Sequence, residues 1–129
     1  MTADRVAVAA LLDDLDAAAS ALEVDRFLSY FVDGPDFAFS FNGTVRVSRA
    51  EVRASTVAAW ANVVRISFRT AIERIAFPAD GVAVVTGLGR SQRTLKGGEE
   101  RSGEYALSFV AIRGPAGWRV LQAHESTST

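Results

Sequence analysis

Gly117-Trp118-Arg119-Val120-Leu121-Gln122-Ala123-His124-Glu125-Ser126 reads as one strand from end to end. Trp118, Val120, Gln122, His124 and Ser126 fall on one parity; Arg119, Leu121, Ala123 and Glu125 fall on the other. A pleated chain sends the two sets to opposite faces. Working back, Gly114-Pro115-Ala116-Gly117 is a turn, and Gly103 to Arg113 is a second alternating run. A hairpin tip at Lys96-Gly97-Gly98-Glu99-Glu100 leads back to Val82–Leu95. Pro78-Ala79-Asp80-Gly81 then leads to Val64–Phe77. Long runs joined by short turns predict an antiparallel meander. Gly87 and Gly89, inside one run, predict a bulge or sharp bend and leave open which of its faces points inward.

Ahead of these strands the pattern is helical. Val8, Leu11, Leu12, Leu15, Ala19 and Leu22 recur at three- and four-residue steps, opposite a solvated face of Asp13, Asp14 and Asp16. After a break near Glu23-Val24-Asp25, residues Phe27, Leu28 and Phe31 predict a short helix capped by Asp25. Asp33-Gly34-Pro35-Asp36 ends it. Phe37, Phe39 and Phe41 alternate with Ala38, Ser40 and Asn42, which is a strand with one aromatic face. Asn42-Gly43 predicts a tight hairpin into Thr44-Val45-Arg46-Val47, because both turn residues tolerate positive φ. Ser48-Arg49-Ala50-Glu51 fits a capping box opening a third helix, whose Val52, Thr56, Ala59, Trp60 and Val63 face inward. The expected fold is α+β, with three helices of the N-terminal half on the concave face of a strongly curved, mixed or antiparallel sheet of about six strands. A bent sheet closed by helices is a cone with a cavity.

Composition narrows the chemistry. The 129 residues are 49% hydrophobic and 22% charged, enough to build a core and too apolar for disorder. A net charge of −1, with basic residues scattered, gives no bulk attraction to nucleic acid or an anionic membrane. The absence of cysteine excludes a disulfide scaffold, a thiolate metal site and a cysteine nucleophile, and a single histidine leaves little for zinc. Gly87-Leu88-Gly89 lacks the full glycine pattern and following helix of a dinucleotide loop. No metal and no cofactor are expected. The first residues carry no cluster of positive charge, and Asp13, Asp14 and Asp16 interrupt the apolar stretch behind them. Neither a secretory signal nor a membrane span is expected, and the cytoplasm is the default location.

The order and spacing of these elements resemble the SnoaL-like group of the nuclear-transport-factor-2-like superfamily, which also contains ketosteroid isomerase. The likeness is carried by Ala18-Ala19 through Glu23-Val24-Asp25-Arg26-Phe27-Leu28, by Phe31-Val32-Asp33, and by Gly43 before the capped third helix. Gly117-Trp118-Arg119-Val120 and the polar run to His124-Glu125-Ser126 are similar to the family's closing strand, G-W-R-[IV] followed by H-x-S. It extends over nearly the whole chain, read as one SnoaL-like domain over residues 1–129. The resemblance implies a cavity between the helices and the concave sheet face, and a homodimer through the convex face. It also implies that Trp118, Val120, Gln122, His124 and Ser126 face inward, with Tyr105, Leu107 and Phe109 and with Phe37, Phe39 and Phe41. Matched to ketosteroid isomerase, the base position falls at Phe41 or Asn42, the tyrosine near Leu15 and the second acid near Phe109. None of these carries the needed group, so that constellation is disfavoured.

His124 is the candidate catalytic residue. An ordinary imidazole pKa of about 6.5 suits proton transfer near neutrality, and Gln122 and Ser126 on its face could orient it. The plainer reading is that His124 only bonds backbone near the cone mouth. The expected ligand pocket is Phe37, Phe39, Phe41, Trp60, Tyr105, Phe109, Trp118, Gln122, His124 and Ser126. Trp60 and Trp118 equally serve as packing residues, Glu73 beside Arg74 as half of a cross-strand ion pair, and Asp36 as a turn residue. Two functions stay open, since this scaffold hosts several chemistries. One is binding of a small hydrophobic molecule in the cone, by an isomerase, cyclase or dehydratase or by a plain receptor. The other is a non-catalytic dimerisation or association module, motivated by the missing isomerase groups and by the outward apolar residues Val110, Ile112 and Leu121. A hollow of roughly several hundred cubic ångströms favours the first.

Overall fold

The computed structural model describes residues 2–128. It contains helices α1 (Thr2–Ser20), α2 (Val24–Leu28) and α3 (Arg49–Trp60). The strands are β1 (Ala38–Phe41), β2 (Thr44–Arg46), β3 (Val63–Ala79), β4 (Val82–Leu95), β5 (Glu100–Gly114) and β6 (Gly117–Ser128). The six strands form one open sheet in the order β2-β1-β6-β5-β4-β3. The last four are the antiparallel meander expected from their turns. β1 joins it by parallel pairing with β6, placing Phe39 beside Ala123 and Phe41 beside Glu125. Phe41 faces Thr44 across the Asn42-Gly43 turn, whose φ angles of 46° and 88° are both positive, as a tight hairpin demands.

Helix α1 buries Val8, Leu11, Leu12, Leu15, Ala18 and Ala19. It stops where the Glu23 N–H donates to the Ala18 carbonyl and the Leu22 N–H to the Ala19 carbonyl, both at 3.0 Å. This is a Schellman closure, made by Leu22 at φ 58° where glycine is usual. The cap position of α2 is Glu23, with no side-chain cap bond, so Asp25 is not the cap. Asp25 lies in the first turn and pairs with Arg53 of α3 at 3.0 Å. At α3 the Ser48 hydroxyl accepts from the Glu51 N–H at 3.1 Å. The Glu51 carboxylate reaches back to the Val47 N–H at 3.1 Å, one residue earlier than in a standard capping box.

Gly87 and Gly89 mark no bulge in their own strand, since β4 pairs with β5 continuously from Val82 to Thr94. The irregularities lie next door in β3, whose pairing with β4 shifts register at three places; at the one opposite Gly87, Glu73 is the extra residue between the pairs Ile72–Gly87 and Arg74–Thr86. Glu73 is exposed and joins none of the ion pairs among the described residues. A further bulge lies in β6, where Ala111 pairs with Val120 but Val110 with Gln122, leaving Leu121 unpaired. Such insertions bend a sheet and sharpen its twist.

The core fills the closed end of the bent sheet. Val8, Leu11, Ile75, Ala83, Val85, Ala111 and Val120 pack there. Phe31, 2% exposed, meets Phe27 edge-on at 5.0 Å and stacks on Phe37 at 5.7 Å and Phe39 at 6.0 Å. Each such aromatic contact contributes about 0.5–1.5 kcal/mol beyond its buried area. No helix among the described residues is long and apolar enough to cross a membrane.

Candidate functional site

The open end of the cone holds a cavity of about 310 Å³ that touches all three helices and all six strands. A sheet can surround one small hollow in this way only if it curves sharply. The wall is largely aromatic, formed by Phe27, Phe31, Phe39, Phe41, Trp60, Phe68, Tyr105 and Phe109. Leu15, Phe41 and Phe109, the positions matched to the isomerase groups, line it with hydrocarbon. A wider groove of about 650 Å³ lies outside α1, beyond Asp16 and Thr70. It is open, and the exposed Arg90–Glu104 ion pair, 3.3 Å long, crosses from β4 to β5 along its wall. The enclosed aromatic cavity is the better small-molecule site.

On β6 the Leu121 bulge reverses the alternation. Before it, Trp118 and Val120 share the inner face. After it, Ala123, Glu125 and Thr127 point inward, opposite Phe109, Leu107 and Tyr105 of β5. A one-residue slip moves every following side chain to the other side. Gln122, His124 and Ser126 therefore lie exposed on the outer face, opposite Val110, Ser108 and Ala106. The expectation that they face the cavity is corrected: the carboxyl of Glu125, not the imidazole of His124, is aimed into it.

Glu125 enters an apolar wall, and its carboxyl has no hydrogen-bond partner among the described residues. Burial raises its carboxyl pKa to about 7, and the charge of Asp16 adds to the effect. Asp16 reaches the same cavity from α1, where it continues the buried stripe of Leu12, Leu15 and Ala19. Its carboxylate accepts from the Thr70 N–H at 2.9 Å and from the Thr70 hydroxyl at 3.1 Å. One turn later the Ser20 hydroxyl accepts from the Phe68 N–H at 3.0 Å. Together they cover the open edge of β3, which would otherwise expose backbone donors. Desolvation raises the pKa of Asp16 and outweighs the two bonds from Thr70, which pull it down. The Thr70 hydroxyl lies 2.6 Å from the Tyr105 hydroxyl. With the single Thr70 hydroxyl hydrogen given to Asp16, Tyr105 must donate to Thr70, forming a chain from phenol to hydroxyl to carboxylate. Burial pushes the Tyr105 phenol up to about 12, so it stays neutral.

The sequence model of the SnoaL-like domain matches residues 8–129. The chain belongs to the SnoaL-like domain family. No curated protein matches its sequence. Among solved structures, a protein provisionally named a dehydratase of the NTF2-like family, from Streptomyces avermitilis, is 20% identical with a TM-score of 0.84, covering 98% of this chain and 97% of that one. A ketosteroid isomerase-like protein from Erwinia carotovora atroseptica is 15% identical with a TM-score of 0.81, covering 96% and 95%. An NTF2-like superfamily protein from Salmonella enterica is 12% identical with a TM-score of 0.84, covering 99% and 93%. At such identities the likeness is one of fold.

Within this SnoaL-like domain, Phe39, Phe41, Trp60, Tyr105 and Phe109 line the cavity. Phe37 is packed behind it, 2% exposed, and Trp118 sits at the far end against Phe77, with the Arg113 guanidinium over its ring. Asp36 is exposed and takes no part. Sequence reasoning missed Asp16, Thr70 and Glu125. A helical wheel carries the signal for Asp16, which sits four residues after Leu12 and three before Ala19. Nothing in the alternation of β6 announces the extra residue that turns Glu125 inward.

Proposed function

We propose that the domain binds a small hydrophobic carbonyl compound in this cavity and that Glu125 moves a proton on it. The single observation behind this is one carboxyl, unbonded and held near neutral pKa, directed into an aromatic hollow of about 310 Å³. A general acid–base group works best when its pKa lies near the working pH. As carboxylate, Glu125 takes a proton from the carbon next to the carbonyl, and the C–H electron pair passes into the C=O to give an enolate. As carboxylic acid it returns the proton to a second carbon, which is isomerisation, or to a departing hydroxyl that leaves as water, which is dehydration. Neither path needs a metal ion, and no cluster of metal-binding side chains occurs among the described residues. The provisional dehydratase name of one relative is compatible with this chemistry.

The test uses 2-tetralone, a bicyclic aromatic ketone, with solvent deuterium exchange followed by NMR. Wild-type protein should speed exchange next to the carbonyl by about 10²-fold or more over buffer, with an inflection near Glu125's pKa. Glu125→Gln should bind the ketone and lose the acceleration. Binding without acceleration in the wild type removes the catalytic reading and leaves a receptor or association module.

The outer face supports a second, compatible reading, pairing with another copy of the chain. Val84, Leu88, Val110, Ile112 and Leu121 share that face, and Leu88 is 54% exposed. Alternating apolar residues there favour burial against an equal surface. Light scattering should report a dimer, and Val110→Lys should give monomers; a monomeric wild type overturns the pairing.

A further inference from the structure

Two arginines line the same cavity as Glu125. Arg46 is half-buried on β2, on the inner face opposite Phe39. Arg93 projects from β4, opposite Ile66 of β3, among the exposed lining residues. Arg26, Arg49, Arg53, Arg90, Arg101 and Arg113 all take carboxylate partners, while neither Arg46 nor Arg93 does so among the described residues. Both reach one hollow from different strands. Burial and the charge of Asp16 both favour the neutral form of the Glu125 carboxyl. The cavity thus carries aromatic rings and an unpaired carboxyl together with two unmatched cations, Arg93 on an exposed part of its wall and Arg46 half-buried beside Phe39. A guanidinium binds carboxylate through charge-assisted, often paired hydrogen bonds, and gains more where one side is shielded from water.

We infer that the occupant is a small aromatic or similarly hydrophobic carboxylate, its anionic group held by Arg46 and Arg93 and its apolar body against Trp60, Phe41 and Phe109. This rests on the proposed binding of a hydrophobic molecule in the cavity and names its class: a carbonyl compound that is also an acid. The arginines are specificity residues. They choose the ligand and orient it with its reactive end toward Glu125.

The experiment compares 2-naphthoate with 2-naphthamide, nearly equal in shape and differing in charge. Binding is read by fluorescence of Trp60 in a Trp118→Phe background, since Trp60 lines the cavity and Trp118 does not. At about pH 6 the naphthoate is ionised while Glu125 is mostly protonated, which avoids repulsion between the two. Naphthoate should bind at least about tenfold tighter than the amide, and high salt should reduce that preference. In the folded double variant Arg46→Gln/Arg93→Gln, naphthoate should fall to the amide's affinity while the amide is unchanged. Thermal melting checks that the variant is folded, and each single substitution should give part of the loss. Equal binding of both probes, or a preference that survives the double variant, overturns the inference while leaving the cavity reading intact. Binding of neither probe overturns both.

Discussion

Gly89 lies directly beneath the ring of Tyr105, so close that a Cβ built on it would overlap the ring and its hydroxyl. The two residues are opposite each other on β4 and β5. The missing side chain is what lets Tyr105 lie flat on the sheet and reach Thr70, and through it Asp16. Gly89→Ala should therefore destabilise the protein by about 2–3 kcal/mol, a typical overpacking cost. Tyr105→Ala alone should cost about 3–5 kcal/mol. Adding Gly89→Ala to Tyr105→Ala should then cost less than about 0.5 kcal/mol, because the obstruction is gone. Urea unfolding of the four proteins measures this coupling, and simple additivity would show that the glycine has another role.

Glu125 makes stability depend on pH with a definite sign. Its folded pKa, about 7, lies above the ordinary value of 4.5. Between those values the folded chain keeps a proton that the unfolded chain has released, so stability falls as pH rises through the window. The total loss is of order 3 kcal/mol, complete above the folded pKa and absent below the unfolded one. Glu125→Gln, which carries no charge at any pH, should match wild type at about pH 4 and exceed it at about pH 8. Urea midpoints at the two pH values check this, and an equal effect at both would mean that Glu125 is solvated.

The elements and their turns were legible because each rests on local chemistry. Asn42-Gly43 supplies two positive φ angles, Ser48 supplies a cap, and Leu12 with Leu15 and Ala19 defines a buried stripe. What escaped depends on contacts distant in sequence. The slip at Leu121 exists only relative to β5, so simple alternation sends His124 inward when it is Glu125 that points there. Gly87 and Gly89 were legible as exceptional, but what they make room for, the Thr70 methyl and the Tyr105 ring, is unknowable before β3 and β5 are placed. Asp16 looked like part of an acidic face with Asp13 and Asp14. Only the edge of β3, 54 residues away, gives it a different task.

The reversal at Leu121 predicts that His124 is dispensable to the cavity. It is exposed on the outer face, beside Ser108 of β5 and Ser40 of β1. His124→Ala should change the stability of the folded chain by less than about 0.5 kcal/mol and leave 2-tetralone binding within error. A marked loss of binding would place the imidazole inside and contradict the strand register.

Asp16 is predicted to act on Glu125 through charge. It is the second cause of the raised Glu125 pKa, after burial, and it is itself held in place by Thr70. Asp16→Asn removes that charge, while its side-chain oxygen can still accept from the Thr70 N–H. The pKa of Glu125 should fall toward, without reaching, its ordinary value, because burial remains. Carbon-13 NMR titration of the Glu125 carboxyl reads the shift directly, and the inflection in 2-tetralone exchange should move to lower pH with it. The substitution also has a structural cost, since an amide cannot accept from both Thr70 groups as strongly as a carboxylate; about 1 kcal/mol is expected. Stability and pKa are separable here. Thr70→Val deletes the hydroxyl bond and leaves the Asp16 charge, so it should destabilise the fold while keeping the Glu125 pKa high. If the two substitutions shift Glu125 equally, the coupling runs through packing at β3 and not through the charge of Asp16.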